Sequence, residues 1–168
     1  MAVDKVKKLS KRDLTELTDA SEAAIRDGSG FGWVEVPPRA VLERYWRGVL
    51  VVPTRSLFLA RFENVVCGSV QLVEPPKNKE VWSFAATIDT HFVAPWARGH
   101  GLAHDLVDAA EAEAVTQGYQ VLNLSVTATQ TQAIQLYEGI GYMRWGTLPR
   151  YALVKGKFVP GHFYTKDL

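Results

Sequence analysis

Residues 93–106, Val-Ala-Pro-Trp-Ala-Arg-Gly-His-Gly-Leu-Ala-His-Asp-Leu, have the spacing best suited to chemistry. An apolar strand end meets a short basic turn, Arg98-Gly99-His100-Gly101, and Leu102, Ala103 and His104 then open a helical pattern. Glycine lets a backbone approach a ligand without a Cβ in the way. The unpaired N–H groups of a helix's first turn point outward, with the positive end of the macrodipole behind them. The turn reads as an anion cradle, and the ligand class it predicts carries phosphate. Two common phosphate signatures are missing. No Gly-Lys-Ser/Thr follows the turn, and Ala103 and His104 stand where a dinucleotide fingerprint needs a later glycine.

Proton-transfer groups lie just upstream. Alternation over residues 81–93 predicts one long strand with Ile88, Thr90 and Phe92 on one face and Asp89, His91 and Val93 on the other. A carboxylate in a central strand is costly unless it is hydrogen-bonded or functional, so Asp89 is read either as a base or as the partner of an arginine. His91 has the ordinary pKa of a base near neutrality, against the alternative of a structural histidine. Cys67 has no base beside it in Val65-Val66-Cys67-Gly68-Ser69 and reads as a small buried strand residue. Trp33, Glu35, Tyr45 and Trp46 are candidate walls of an acceptor pocket, Glu35 suiting a cation, with core packing as the alternative for the aromatics.

These groups need a frame. The chain has 168 residues, enough for one domain over 1–168, and its 47% hydrophobic and 22% charged composition excludes wholesale disorder. The net charge of +1 offers no reason to propose nucleic acid, and the early Lys5, Lys7, Lys8, Lys11 and Arg12 are interleaved with Asp4, Asp13 and Glu16 as on a solvated surface. No apolar run reaches the roughly 20 residues of a bilayer span and no signal-peptide pattern opens the chain, so no membrane association and a cytoplasmic location are expected. One cysteine cannot form an internal disulfide or assemble a zinc site, which also fits a reducing compartment.

The predicted elements are a strand at 3–9, a helix at 11–26 capped by Ser10, a loop over a pocket at 28–38, and a helix running to about 48 that buries Val41, Leu42, Tyr45 and Trp46. Strands at 56–63 and 65–73 form a hairpin around Asn64, and the 81–93 strand follows. A helix over about 99–117, a strand at 119–127, a helix at 130–138 and strands at 142–146 and 158–165 complete the chain. The class is mixed α/β with an antiparallel-rich sheet.

Two ordered motifs in this frame resemble the GNAT N-acetyltransferase family. The family's Gln/Arg-x-x-Gly-x-Gly/Ala loop is matched by Arg98, Gly101 and Ala103 after Val93 and Pro95, and its downstream pattern is matched by Ala133, Tyr137, Gly141 and Tyr142. Gly30-Phe31-Gly32-Trp33, Tyr45-Trp46, Gly146-Thr147-Leu148-Pro149-Arg150-Tyr151 and Phe163-Tyr164-Thr165-Lys166 are similar to the tabtoxin-resistance acetyltransferase branch. The resemblance implies a GNAT fold, an α+β arrangement with a twisted, mostly antiparallel sheet of six or seven strands and about four helices.

The resemblance also implies acetyl-CoA as cosubstrate. Its pyrophosphate would be held by backbone N–H groups across Arg98, Gly99, His100, Gly101, Leu102 and Ala103, and its pantetheine arm would pair with Phe92 and Val93. Arg98 either adds charge to a phosphate or merely solvates the loop. Ala133 belongs to the cofactor motif, and Gln130 replaces the asparagine with which many relatives contact the cofactor. Tyr137 matches the tyrosine that protonates the departing sulfur, and Asp89 resembles the family's acidic base. His91 is the second candidate base and borders the substrate. His100 and His104 fall toward solvent or the nucleotide end, and His162 toward the acceptor. The expected reaction is direct acetyl transfer to a primary amine of a small molecule. Alternatives are a protein lysine or N-terminal acetyltransferase and a non-catalytic acetyl-CoA-binding regulator. A homodimer is compatible with the branch.

Overall fold

The computed structural model describes every residue except Gly30, so the glycine that begins the 30–33 motif lies outside the described residues. Among the described residues, seven strands and four α-helices run in the order β1 (Ala2–Val6), α1 (Lys11–Arg26), α2 (Arg39–Val51), β2 (Arg55–Phe62), β3 (Val65–Val73), β4 (Ala85–Val93), α3 (Leu102–Thr116), β5 (Val121–Thr127), α4 (Thr131–Gly139), β6 (Met143–Val154) and β7 (Lys157–Asp167). They group into two compact units, Met1–Glu74 with Ile88–Glu113, and Pro75–Thr87 with Ala114–Leu168. No described helix is long and apolar enough to cross a membrane.

The first unit holds β1, β2, β3 and the later part of β4 in that order, with β1–β2 and β2–β3 antiparallel. Helix α1 begins where predicted because the Ser10 side chain accepts from the Asp13 N–H at 3.0 Å. Its buried stripe of Leu14, Leu17, Ala20 and Ala24 packs with Trp46 and Val49 of α2 over Leu57, Leu59, Val66 and Phe92. Helix α2 runs past the predicted end at residue 48 to Val51. Leu42, Trp46 and Val49 are its buried residues, and Val41 and Tyr45 are only partly covered. The β2–β3 turn places Glu63 and Asn64 at φ 48° and 66°, the paired left-handed conformation of a tight hairpin.

Strand β4 starts at Ala85, later than the predicted 81, because Trp82 and Ser83 donate back to Lys79 and Glu80 in a 3-10 turn rather than to a neighbouring strand. Its alternation is also broken. Thr90 adopts φ 50°, a left-handed conformation that costs a β-branched residue about 1–2 kcal/mol and shifts the period of 2 by one residue. Asp89 therefore points toward Arg55, while His91 bonds toward the start of α3, so the two residues predicted to share a face diverge.

The second unit holds the start of β4 beside β5, followed by β7 and β6. The β4–β5 pairing is parallel and three residues long, from Ala85↔Val121 to Thr87↔Asn123, whereas β5 pairs with β7 along its whole length to Thr127↔Gly161. Strand β6 is far longer than the predicted 142–146. Pro149 hides its second half in the sequence. The fold tolerates the proline because β6 is an edge strand with a register shift between Leu148 and Ala152.

Candidate functional site

The turn before α3 is built by backbone conformation. Gly99 and Gly101 have φ 83° and 81°, and an added Cβ at either would meet nothing within 4 Å, so glycine is required by the left-handed backbone and not by crowding. These two residues delay α3 from the predicted 99 to Leu102. The bond from the Asp105 N–H to the Gly101 oxygen (3.0 Å) opens the helix, which leaves the N–H groups of Leu102, Ala103 and His104 outside the helix's own ladder. Leu102 is buried and anchors this first turn. His100 is exposed with its ring stacked on Phe62 at 4.4 Å, and exposed His104 pairs with Asp108 at 3.1 Å.

Arg98 is turned back into its own unit. Its Nε donates to the Val93 carbonyl at 3.1 Å, Nη1 to Asp27 at 2.6 Å and Nη2 to the Ser29 hydroxyl at 2.7 Å. The Arg98 hydrogen bond holds the Asp27 carboxyl below the usual carboxylate range. The guanidinium thus joins the end of β4 to the segment after α1.

Asp89 accepts from Arg55 at 2.9 Å and from the Thr90 N–H at 2.8 Å, and its side chain remains 49% exposed, open to a ligand. The same Arg55 nitrogen reaches Gln71 at 2.6 Å, Gln71 donates to the Tyr45 hydroxyl at 3.0 Å, and that hydroxyl lies 3.1 Å from Thr90 Oγ1. Ser69 donates to the Thr90 carbonyl at 3.2 Å. The left-handed Thr90 is over-determined by its surroundings, as strained residues at functional sites tend to be. Gly68 on β3 completes the arrangement, since a Cβ there would overlap the Phe92 carbonyl oxygen.

His91 Nε2 donates to the Ala103 carbonyl at 2.9 Å, and burial lowers its pKa to about 4, so the ring is neutral near pH 7. Cys67 is fully buried, and burial raises its pKa to about 11, which keeps the thiol protonated. Phe31 is the aromatic of its loop that joins the core, stacked on Phe92 at 4.7 Å beside Tyr45 and Trp46. Trp33 is partly covered and Glu35 is exposed.

In the second unit, α4 buries Tyr137 against Tyr142 and Tyr164, at ring distances of 5.8 and 6.4 Å, and burial raises the phenol's pKa well above the ordinary value. Gln130 caps α4 through its main chain, accepting from Ile134 N–H at 3.0 Å, and Ala133 is partly covered one turn before Tyr137. His162 bonds to the Thr147 hydroxyl at 2.8 Å.

The second unit also contains a cavity of about 390 Å³ whose lining includes Thr87, Asn123, Ser125, Trp145, Phe163 and Thr165. Thr87, Asn123, Ser125 and Trp145 carry no role in the sequence, and Phe163 and Thr165 enter there only within the 163–166 segment. Their signal was the period of 2 in β5 and β7, where Asn123 and Ser125 alternate with buried Leu122 and Leu124, and Phe163 with buried Tyr164.

Residues 16–142 match the family described as Acetyltransferase (GNAT) family. An uncharacterized N-acetyltransferase from the hisH-hisA intergenic region of Azospirillum brasilense is 52% identical over 130 residues, 77% of each chain. Among solved structures, a ribosomal-protein-alanine N-acetyltransferase from Brucella melitensis superposes with a TM-score of 0.82 at 18% identity, covering 100% of both chains. A putative acetyltransferase from Salmonella typhimurium, solved with its cofactor acetyl-CoA, superposes with a TM-score of 0.79 at 15% identity, covering 100% of this chain and 94% of its own.

Proposed function

Since the chain belongs to the GNAT family of acetyltransferases, we propose that it moves acetyl from acetyl-CoA directly to a primary amine of a small, amino-acid-like molecule or toxin. The observation that carries this reading is the left-handed Gly99 and Gly101 turn, which presents the N–H groups of Leu102, Ala103 and His104 ahead of the first bond of α3. Acetyl-CoA supplies the activated acyl group as a thioester.

The chain's own groups supply the rest. The backbone across 99–103 binds the pyrophosphate, and the edge of β4 at Phe92 and Val93 orients the pantetheine. Arg98 keeps that edge in place through the Val93 carbonyl, as a positioning residue. The turn backbone of Arg98, Gly99 and His100 belongs to the same cradle, and Gln130 and Ala133 are assigned to the cofactor by the family motif in which they fall. Asp89, open to solvent on one side, takes the proton of the incoming ammonium. A backbone N–H near Val93 holds the developing oxyanion. Tyr137 is assigned as the acid that protonates the departing sulfur, and burial keeps its phenol in the protonated form. Trp33 and Glu35 are assigned to the acceptor side. Neutral His91 is left as a wall of the site, because its bond to Ala103 commits the ring to α3. The similarity of residues 30–33 and 146–151 to the tabtoxin-resistance branch favours the small acceptor.

The test is thiol release from acetyl-CoA over a panel of small amines and lysine-containing peptides. Release with at least one small amine well above background hydrolysis is expected. Release with peptides alone would transfer the reading to a protein acceptor, and release with neither would leave a binding protein.

A further inference from the structure

We propose that the cavity of the second unit seats an uncharged, planar, apolar group of the acceptor, so that the amine acetylated is an arylalkylamine. The acetylation clause rests on the acetyl-transfer reading above, whereas the binding clause stands without it.

The floor of the cavity is polar but carries no formal charge. Asn123, Ser125 and Thr165 project from β5 and β7, and no Asp, Glu, Lys, Arg or His lines it. An ionised group seated there would lose water and gain no counter-charge, whereas a neutral group with a hydrogen-bonding edge would be matched. The walls are aromatic. Phe163 has the Trp145 ring of the lining at 5.3 Å and, behind the lining, the Tyr151 ring at 5.8 Å, nearly perpendicular at 76°.

One of these walls is fixed before anything binds. The Tyr151 hydroxyl lies 2.6 Å from Ser125 Oγ, and its ring lies so close over Gly161 that a Cβ there would overlap it. Tyr151 therefore buttresses Phe163 in a defined position. Trp145, by contrast, is 64% exposed and packs on Phe163 alone among the described rings, so its indole face is available to a flat ligand. A volume of about 390 Å³ accommodates one small molecule and not a folded segment.

The cavity also begins at the end of the β4–β5 pairing. Thr87 and Asn123, the last β4–β5 pair, both line it, and beyond Asn123 β5 keeps its partner β7. Phe163 and Tyr164 both line the cavity, and the Tyr164 ring lies 6.4 Å from that of Tyr137. The proposed acid thus packs on a residue of the cavity lining.

The experiment pairs binding with turnover. Saturation-transfer NMR with 2-phenylethanol, which has no amine, reads the cavity directly. Acetylation of 2-phenylethylamine and of n-butylamine reads its use. The wild-type protein should transfer saturation to 2-phenylethanol, and Trp145→Ala and Phe163→Ala should lose it. Trp82→Ala, at an exposed tryptophan outside the cavity, should retain it. KM for 2-phenylethylamine should be about tenfold below that for n-butylamine, and Trp145→Ala should close the gap with acetyl-CoA Kd unchanged within about twofold. Saturation transfer that is absent, or indifferent to Trp145, overturns the proposal. So do equal KM values for the two amines, or a Trp145→Ala variant whose only change is a lower solution mass. If 2-phenylethanol binds through Trp145 but no amine is acetylated, the site stands and the acetyl-transfer reading fails.

Discussion

Arg98 Nε donates to the carbonyl oxygen of Val93 at 3.1 Å, across the turn that joins β4 to α3. With Asp27 and Ser29 occupying the two terminal nitrogens, a charge that the sequence offered to a phosphate is spent inside the first unit. Arg98→Ala should weaken acetyl-CoA and acetyl-pantetheine by the same factor, about tenfold, because both rely on the β4 edge. Calorimetry with the two ligands decides it. A loss confined to acetyl-CoA would put the guanidinium on a phosphate instead.

Tyr137→Phe should lower kcat by about 10²-fold and leave acetyl-CoA Kd within about twofold, as expected for removal of a general acid. The raised pKa adds a pH signature. The phenol keeps its proton through the ordinary tyrosine range, so the wild-type rate should show no loss from this group up to pH 10. A rate unchanged by the substitution would reduce Tyr137 to a packing residue against Tyr142 and Tyr164.

Asp89→Asn separates the base from the ion-pair partner. The base predicts a fall in kcat of about 10²-fold with little change in Tm, since the paired Asp89 is half exposed and surface pairs add about 0–1 kcal/mol. An unchanged kcat with a lower Tm would leave only the bond to Arg55.

His91 makes folding sensitive to mild acid. Its folded pKa of about 4 lies below the unfolded value near 6.5, so both states are neutral above pH 6.5 and only the unfolded chain takes up a proton as pH falls. Stability is therefore lost from pH 6.5 down to about 4, by about 3 kcal/mol in full. Urea midpoints between pH 7.5 and 5 should fall in the wild type and stay flatter in His91→Asn. Parallel profiles would contradict the shift.

Gly68→Ala tests the close approach of β3 and β4. The obstructing atom is the Phe92 backbone oxygen, which cannot swing aside as a side chain would, so a loss of about 2–4 kcal/mol is expected by chemical denaturation. Gly99→Ala provides the contrast. Nothing crowds its Cβ, so only the cost of a left-handed alanine, about 1–2 kcal/mol, should appear.

Much of the frame was legible in the chain itself. Ser10 before a 16-residue amphipathic pattern set the start of α1, and Val65–Val73 was bounded correctly by the turn at Asn64 and by Pro75-Pro76. Local signals suffice where one residue's chemistry fixes its own backbone, as a cap or a left-handed turn does. The turn before α3 was legible in part for the same reason, since Gly99 and Gly101 mark a place where the backbone can turn left-handed, as it does.

What stayed hidden depended on hydrogen bonds and sheet positions that no single residue type declares. Whether 81–84 continued a strand was decided by local bonds to Lys79 and Glu80 in a 3-10 turn, and β6 passed through Pro149 because it lies at an edge. The divergence of Asp89 from His91 required the turn of the backbone at Thr90, held by Tyr45, Ser69 and Asp89. Arg98 offered a positive charge in the sequence, and only folding brought Asp27, 71 positions away, within 2.6 Å of it. Trp145 and Phe163 read as ordinary strand aromatics until four strands set them around one cavity. Sequence alone determined where a left-handed turn could form without strain, because Gly99 and Gly101 have no Cβ to oppose φ near 80°. Tertiary structure decided which charges and rings face a ligand, because those contacts join residues that the chain keeps far apart.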